Sequence, residues 1–313
     1  MYLEHWNMHF PPFQNVPNPA FFYSSPIHQE ALERMVYAIV QGKGAAMITG
    51  EIGCGKTMVS RVLMKRLSKE NLEVAAMTNP ALSPTEFLES LMGLFNLSND
   101  HSPSKVKAWQ DLESHFRWNL DQGKGSVLVI DEAQAINEAA TLEEIRMLLN
   151  LQSETRFLVS VVLLGQSRLE ALVSKNKSLS QRVPIRYRLR PFSLGETFAY
   201  VKRRLEVAGC KSIPFTRDSF KVMYNLSKGV PREINNLCDR SLLAAYLADK
   251  KLIATPYVEE AWRDLYGVVE VVSPPKVSPQ KTQPEVGPPR TQGGLPQGPK
   301  SSASVPETLP VTG

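Results

Sequence analysis

The stretch Gly50-Glu51-Ile52-Gly53-Cys54-Gly55-Lys56-Thr57 satisfies G-x-x-x-x-G-K-[ST] at every position, and it limits the fold more tightly than any other segment. An apolar run, Ala45 to Thr49, precedes it, and Met58 to Leu67 reads as a helix. A strand that turns on glycines into a helix makes successive backbone N–H groups converge where the helix N-terminus already favours anionic oxygens. In that setting Lys56 reaches the β- and γ-phosphates of a nucleotide, and the Thr57 hydroxyl ligates Mg²⁺. With glycine at ~7% of residues, chance yields the pattern in roughly one chain in a hundred of this length. The strand before it and the helix after it favour a nucleotide site over a bare glycine turn.

The rest of the first two thirds alternates in the same way. Glu73 to Met77, Ser126 to Ile130, Phe157 to Leu164 and Val183 to Leu189 read as further strands, the second of them apolar enough to be buried on both faces. Ile27 to Val40, Pro84 to Leu97 (with Ser83 as N-cap), Ser104 to Leu120 and Leu142 to Leu151 read as helices. Such alternation predicts an α/β fold, a parallel sheet flanked by helices, over residues 27–191. Beyond Pro191 the pattern is helical only: Gly195 to Ala208, Thr216 to Ser227, Pro231 to Ala248 and Pro256 to Tyr266. Residues 192–268 therefore read as a small all-α domain. Residues 1–26, rich in Pro, Asn and aromatics, read as an extended arm laying its rings on the domain that follows. Residues 269–313 turn to Pro, Gly, Ser and Gln, a composition that cannot offset its ordering entropy and is expected to be a disordered tail.

The net charge of +5 over 313 residues is mild, and the only basic clusters are Lys202-Arg203-Arg204 and Arg186 to Arg190, each read as a solvated face. Cys54, Cys210 and Cys238 are odd in number and far apart, which fits a reducing compartment and shows no metal-ligand spacing. The N-terminus lacks the pattern of a signal peptide, and no run approaches the ~20 apolar residues of a membrane span. The expectation is a soluble cytoplasmic protein.

Val127 to Ile130 ends in Asp131-Glu132. Phosphate hydrolysis needs one carboxylate for the Mg²⁺ shell and another to orient and polarise water. Consecutive strand-end side chains diverge, so Asp131 suits the first task and Glu132 the second.

With Ile130-Asp131-Glu132-Ala133-Gln134 and Leu163-Leu164-Gly165-Gln166 added to the glycine-rich loop, the chain resembles the AAA+ P-loop NTPases of the ExeA/GspA type, the general secretion pathway protein A-like ATPases. Further resemblance lies in Met1-Tyr2-Leu3-Glu4-His5-Trp6, Phe21-Phe22-Tyr23, His28-Gln29-Glu30-Ala31-Leu32, Leu142-Glu143-Glu144-Ile145-Arg146 and Lys228-Gly229-Val230-Pro231-Arg232-Glu233-Ile234-Asn235. It covers roughly residues 1–265, in order, and implies an AAA+ core with a helical lid, ATP and Mg²⁺ as ligands, and work as a homo-oligomer, a ring.

The resemblance also implies roles. Gly50 through Met58 would hold the nucleotide, with Thr57 and Asp131 on the metal, and Lys56 and Glu132 in catalysis. Gln166 matches the sensor-1 position. Arg232, aimed inward by Pro231 at the first helical position, matches the sensor-2 arginine of the lid. Arg182 matches the arginine finger offered to a neighbouring subunit, with Arg186 and Arg188 as competitors. Asn79 resembles the partner that restrains the catalytic glutamate, or is a turn asparagine before Pro80. Cys54 stands where Ser or Thr is commoner; a thiol at a helix N-terminus can be activated. His28 and Tyr23 line the adenine pocket or belong to the core.

Relatives of this type commonly continue into a transmembrane helix and a peptidoglycan-binding module, and this sequence shows neither, which argues against direct cell-wall binding and anchoring. The reading favoured is an oligomeric ATPase driving assembly of an envelope secretion or pilus system, cytoplasmic or peripheral to the inner membrane through a protein partner. The alternative is a nucleotide-switched regulator on DNA of the transposition-helper type, with Lys202-Arg203-Arg204 as its modest support. Nucleotide binding without hydrolysis is disfavoured by the intact Asp131-Glu132 pair.

Overall fold

The computed structural model describes residues 2–97 and 104–267. The expected tail, 269–313, lies outside the described residues. The chain begins with α1 (Tyr2–His5) and a 3-10 turn (Pro19–Phe21), followed by α2 (Pro26–Val40) and β1 (Ala45–Gly50). Next come α3 (Lys56–Leu67), β2 (Leu72–Met77), α4 (Pro84–Leu94), α5 (Lys105–Asp121) and β3 (Gly125–Ile130). A second 3-10 turn (Ala133–Ala135) leads to α6 (Ala139–Leu148), β4 (Val159–Gly165), α7 (Arg168–Lys175), α8 (Lys177–Gln181) and β5 (Ile185–Leu189). Four helices close the described chain: α9 (Leu194–Val207), α10 (Arg217–Ser227), α11 (Pro231–Leu247) and α12 (Thr255–Tyr266).

The five strands pair in parallel in the order β2-β3-β4-β1-β5. The period-two alternation of each central strand divides the apolar side chains between two cores. Ala45, Met47, Leu128, Ile130, Val161 and Leu163 face the core under α4–α8. Ala46, Ile48, Val127, Val129, Val162 and Leu164 face the one under α2 and α3. Register sets Thr49 beside Gly165 and Ile130 beside Leu163, so the C-terminal ends of β1, β4 and β3 finish together. Ligands of open parallel sheets bind at that edge.

The cap expected at Ser83 is present, as a full capping box with Glu86. Three sequence readings shift. The helix read from Leu142 begins at Ala139 and ends at Leu148, and the strand read from Phe157 begins at Val159, because Phe157 instead makes an isolated antiparallel bridge with Gln152. Residues 168–181, left unassigned by pattern, form two short helices held by buried Leu169, Val173 and Leu179. Too few turns repeat there for periodicity to show.

Helices α9–α12 build a third core, and the N-terminal arm belongs to it: Trp6, Met8, Phe13 and Phe21 are buried with Tyr200, Leu205, Ile234 and Leu242. The arm thus packs mainly on the helices some 190 residues downstream rather than on the domain that follows it, and it opens with a helical turn rather than extended chain. Tyr2 Oη donates to Asp239 Oδ1 at 2.6 Å, and the His9 N–H donates to Ala208 O at 2.7 Å. At Phe21-Phe22-Tyr23 the chain straddles two cores: Phe21 and Tyr23 pack with the helical half, Phe22 with the core beneath α2 and α3. The α/β and helical parts belong to one compact unit. No helix among the described residues is long and apolar enough to cross a membrane.

Candidate functional site

The loop between β1 and α3 needs its glycines. Gly53 and Gly55 have φ of +84° and +93°, a left-handed conformation that costs other residues about 1–2 kcal/mol. Lys56, only 5% exposed, folds back so that Nζ donates to Gly50 O and Glu51 O, both at 3.0 Å. Burial pulls its ammonium below the ordinary lysine range, while Glu132 and, less strongly, Asp131 favour the charged form. Lys56 is thus a buried cation satisfied by two backbone carbonyls beside two carboxylates.

Beneath the loop lies His28. Its Nε2 donates to Cys54 O at 2.8 Å, a carbonyl that can only accept, and its Nδ1 lies 2.7 Å from the Ser25 hydroxyl. Burial lowers its pKa, which favours the neutral ring. Cys54 itself is fully buried, and burial together with Glu51 pushes its thiol up to about 11. Desolvation outweighs the helix N-terminus, so the thiol is not activated.

At the end of β3, Asp131 is buried and accepts the Glu132 N–H at 2.9 Å on Oδ1. Glu132 adopts φ +52°, an uncommon left-handed conformation for a non-glycine residue. Its carboxylate is held by Gln134, whose Nε2 donates to Oε2 at 2.5 Å. Asn79, the restraint suggested by resemblance, stands exposed past the end of β2 and makes none of the side-chain hydrogen bonds described; the Glu132 carboxylate is hydrogen-bonded by Gln134 instead. Gln134 carried no signal beyond its place in the Asp131–Gln134 block.

The helical half supplies the opposite wall. Arg232, second residue of α11, donates its backbone N–H to Gly53 O at 3.3 Å. A cleft of about 260 Å³ results, lined by Ile52, Gly53, Gly55, Lys56, Thr57 and Met58 from the loop and by Glu132, Gln166 and Arg232 across from them. His28 and Tyr23 both line it, Tyr23 packing edge-on to Phe192 at 5.7 Å. Gly50 and Glu51 contribute the carbonyls that hold Lys56, and Asp131, bonded to the Glu132 N–H, does not itself line the cleft.

The far end of the cleft is built from residues outside the sequence-predicted site. Gln14, Asn15, Val16 and Pro17 of the arm close it with Tyr200, Arg204 and Asn235. Arg204 is buried and donates to Pro12 O, to Gln14 O at 2.9 Å and to Tyr200 Oη at 2.6 Å, with its guanidinium 5.2 Å from the Phe21 ring. Only Lys202 and Arg203 of the basic trio remain on the surface, so Arg204 is no part of a DNA-facing patch. The signal was available: Val201, Arg204, Leu205 and Ala208 share one helical stripe.

Of the three finger candidates, none lines the cleft of its own chain. Arg182 caps α8 and donates to Asn150 Oδ1 at 2.7 Å; Arg186 is tied to Ser180 and Val183; Arg188 projects from β5 into solvent.

Thr57 and Asp131 offer hard oxygen donors. Among the described residues no group of three or more His, Cys, Asp or Glu could hold a metal unaided. A cation here would depend on this pair, on ligand oxygens and on water, which is how Mg²⁺ is held at phosphate sites.

Residues 39–173, which hold the glycine loop and the paired carboxylate at the edge of this parallel sheet, match the AAA domain family. More particularly, the chain is similar to general secretion pathway protein A of Aeromonas hydrophila, 38% identical over 248 residues that make up 79% of this chain and 45% of that protein. The chain thus spans less than half the length of that relative. Among solved structures it shares its fold with Cdc6p of Pyrobaculum aerophilum (TM-score 0.64, 17% identity, 81% of this chain and 73% of that one). It shares it also with the Thermotoga maritima RuvB branch migration motor (TM-score 0.54, 17% identity, 80% and 73%).

Proposed function

We propose that this protein is a Mg²⁺-dependent ATPase that works as a homo-oligomer, residues 27–191 forming the motor and 192–268 a lid. The observation that carries it is one cleft lined by Lys56, Glu132, Gln166 and Arg232, from four different elements. Lys56 Nζ trades its two carbonyls for β- and γ-phosphate oxygens, joined there by the loop N–H groups. Thr57 and Asp131 would hold Mg²⁺, which would supply charge neutralisation at the phosphates. Glu132 orients a water and takes its proton as the water oxygen bonds to the γ-phosphorus and the bond to the β-phosphate oxygen breaks, leaving ADP and phosphate. Gln166 reads the γ-phosphate from the end of β4, and Arg232 closes on the phosphates from the lid. Arg182, outside its own cleft, serves the cleft of the next subunit.

By its similarity to general secretion pathway protein A, the work driven is assembly of an envelope secretion or pilus system, from the cytoplasm or the inner face of the membrane through a protein partner. The test pairs Lys56→Ala with Glu132→Gln in nucleotide-binding and phosphate-release assays. Lys56→Ala is expected to bind no ATP, and Glu132→Gln to bind it with wild-type affinity while hydrolysing it ~10²-fold more slowly or worse. Equal affinity in wild type and Lys56→Ala would refute the loop assignment.

A further inference from the structure

The Glu132 carboxylate does not stand alone. Gln134 spans the ends of two adjacent strands: Nε2 donates to Glu132 Oε2 at 2.5 Å beyond β3, and Oε1 accepts the Gln166 N–H at 2.9 Å beyond β4. The orientation of this amide is over-determined. A backbone N–H can only donate and a carboxylate only accept, so a flipped amide would lose both bonds. The space it fills is reserved for it as well. A Cβ on Gly165 would lie 2.7 Å from Gln134 Oε1 and 2.9 Å from Leu169 Cδ2, so no larger residue fits at the end of β4 without moving the amide. Glu132 is held in its left-handed backbone conformation within the same turn, the Ala135 N–H returning to Glu132 O at 2.8 Å.

We propose that Gln134 is a positioning residue that fixes the water-activating carboxylate and couples it to the strand end carrying Gln166; this rests on the ATPase reading above. Gln134 does not line the cleft, whereas Glu132 and Gln166 both do. One carboxylate oxygen is thus spent on the amide while the group as a whole still faces the cleft. Any displacement of Gln166 on meeting a phosphate is passed through a single side chain to the base, because the Gln166 backbone and the Glu132 carboxylate share that amide.

The experiment measures kcat, KM and nucleotide dissociation constants for Gln134→Leu, which removes both bonds. Gln134→Glu retains length and the acceptor for Gln166 but turns an oxygen toward Glu132, and Gln134→Met serves as an unbranched apolar variant should Leu not fold. Each is expected to lose at least about tenfold in kcat with KM and nucleotide affinity within twofold of wild type, Gln134→Glu losing most. Gly165→Ala, which pushes the amide aside, gives the same split and adds little to Gln134→Leu. A kcat within twofold of wild type in any folded Gln134 variant overturns the proposal, as does affinity falling in parallel with kcat. Wild-type protein that binds no nucleotide, or binds it without turnover, sinks the ATPase reading and this proposal together, an outcome distinct from either of those.

Discussion

Adding one methyl group at Gly53 tests whether the phosphate loop and the helical half are built against each other. The position is disfavoured twice. Its φ of +84° costs an alanine about 1–2 kcal/mol in backbone energy. The new Cβ would also lie 2.9 Å from Arg232 Cβ and 3.0 Å from Val230 Cγ1. Carbon atoms settle at ~3.5–4.0 Å, so the first turn of α11 must retreat by roughly 0.6–1 Å or the loop must deform. Overpacking on that scale adds about 1–2 kcal/mol. For a chain of this size the sum lowers Tm by about 4–7 °C.

Displacement matters more than stability here, because Arg232 leaves that same turn. A misplacement near 1 Å can cost ~10² in rate. Gly53→Ala is therefore expected to bind ATP more weakly and to hydrolyse it ~10²-fold more slowly, measured by calorimetric melting, nucleotide titration and phosphate release. Gly93→Ala is the control: that glycine is in α4 with nothing within 4 Å of an added Cβ, and alanine there stabilises by about 0.5–1 kcal/mol. Wild-type melting and turnover in Gly53→Ala would show that α11 is not seated on the loop, and the case for a lid arginine would go with it.

Three further outcomes follow from single side chains. Arg204→Met should cost about 3 kcal/mol by stranding Pro12 O and Gln14 O, and should expose the arm to limited proteolysis near residues 12–17; Arg204→Lys should fail to restore it, since an ammonium cannot match the fork. Glu196 is held at about 2, well below its ordinary 4.5, chiefly by Arg190 at 2.7 Å and then by the Ser193 cap. A depressed carboxylate stabilises the fold above 4.5 and loses that contribution as pH falls toward 2. Glu196→Gln should thus melt lower than wild type at pH 7, by about 1 kcal/mol given the half-exposed arginine, with the gap closing across that acid window. Thiol titration of folded protein at pH 8 should modify Cys210 and spare buried Cys54 and Cys238 until denaturant is added; modification of native Cys54 would contradict its burial.

The α/β half was legible because its signals are local. A glycine loop between an apolar run and a helix, and an apolar run closed by Asp131-Glu132, each specify one strand end, and parallel pairing brings those ends together. What escaped reading depends on partners far away in sequence. The arm's rings looked like material for the domain that follows, yet Trp6, Phe13 and Phe21 complete the core of α9–α12. Charge groups Arg204 with its neighbours in sequence, although its helical stripe is apolar and its acceptors lie some 190 residues upstream. Gln134 is ordinary by composition and becomes informative only when the ends of β3 and β4 stand side by side.

The cleft lies in a seam that the apolar cores do not cross. The helical half meets the rest through contacts that include the Arg232 N–H on Gly53 O, the Arg190–Glu196 ion pair at 2.7 Å, the His28 and Phe192 rings at 5.3 Å, and Arg61 of α3 on Pro17 O. The cores on either side remain separate clusters. Hydrogen bonds of this kind contribute about 1 kcal/mol each, far less than shared apolar packing, so the seam should open more readily than either core unfolds. A ligand touching both walls then acts mainly on their relative placement, and only to the extent that it binds the closed arrangement better. ATP should therefore slow amide hydrogen exchange in the loop, in the first turn of α11 and in residues 14–17, while leaving α4 and α5 on the opposite face of the sheet unchanged. Protection spread evenly over the sheet and all helices would mean that the two halves already move as one, and a lid that closes on nucleotide would have no joint on which to turn.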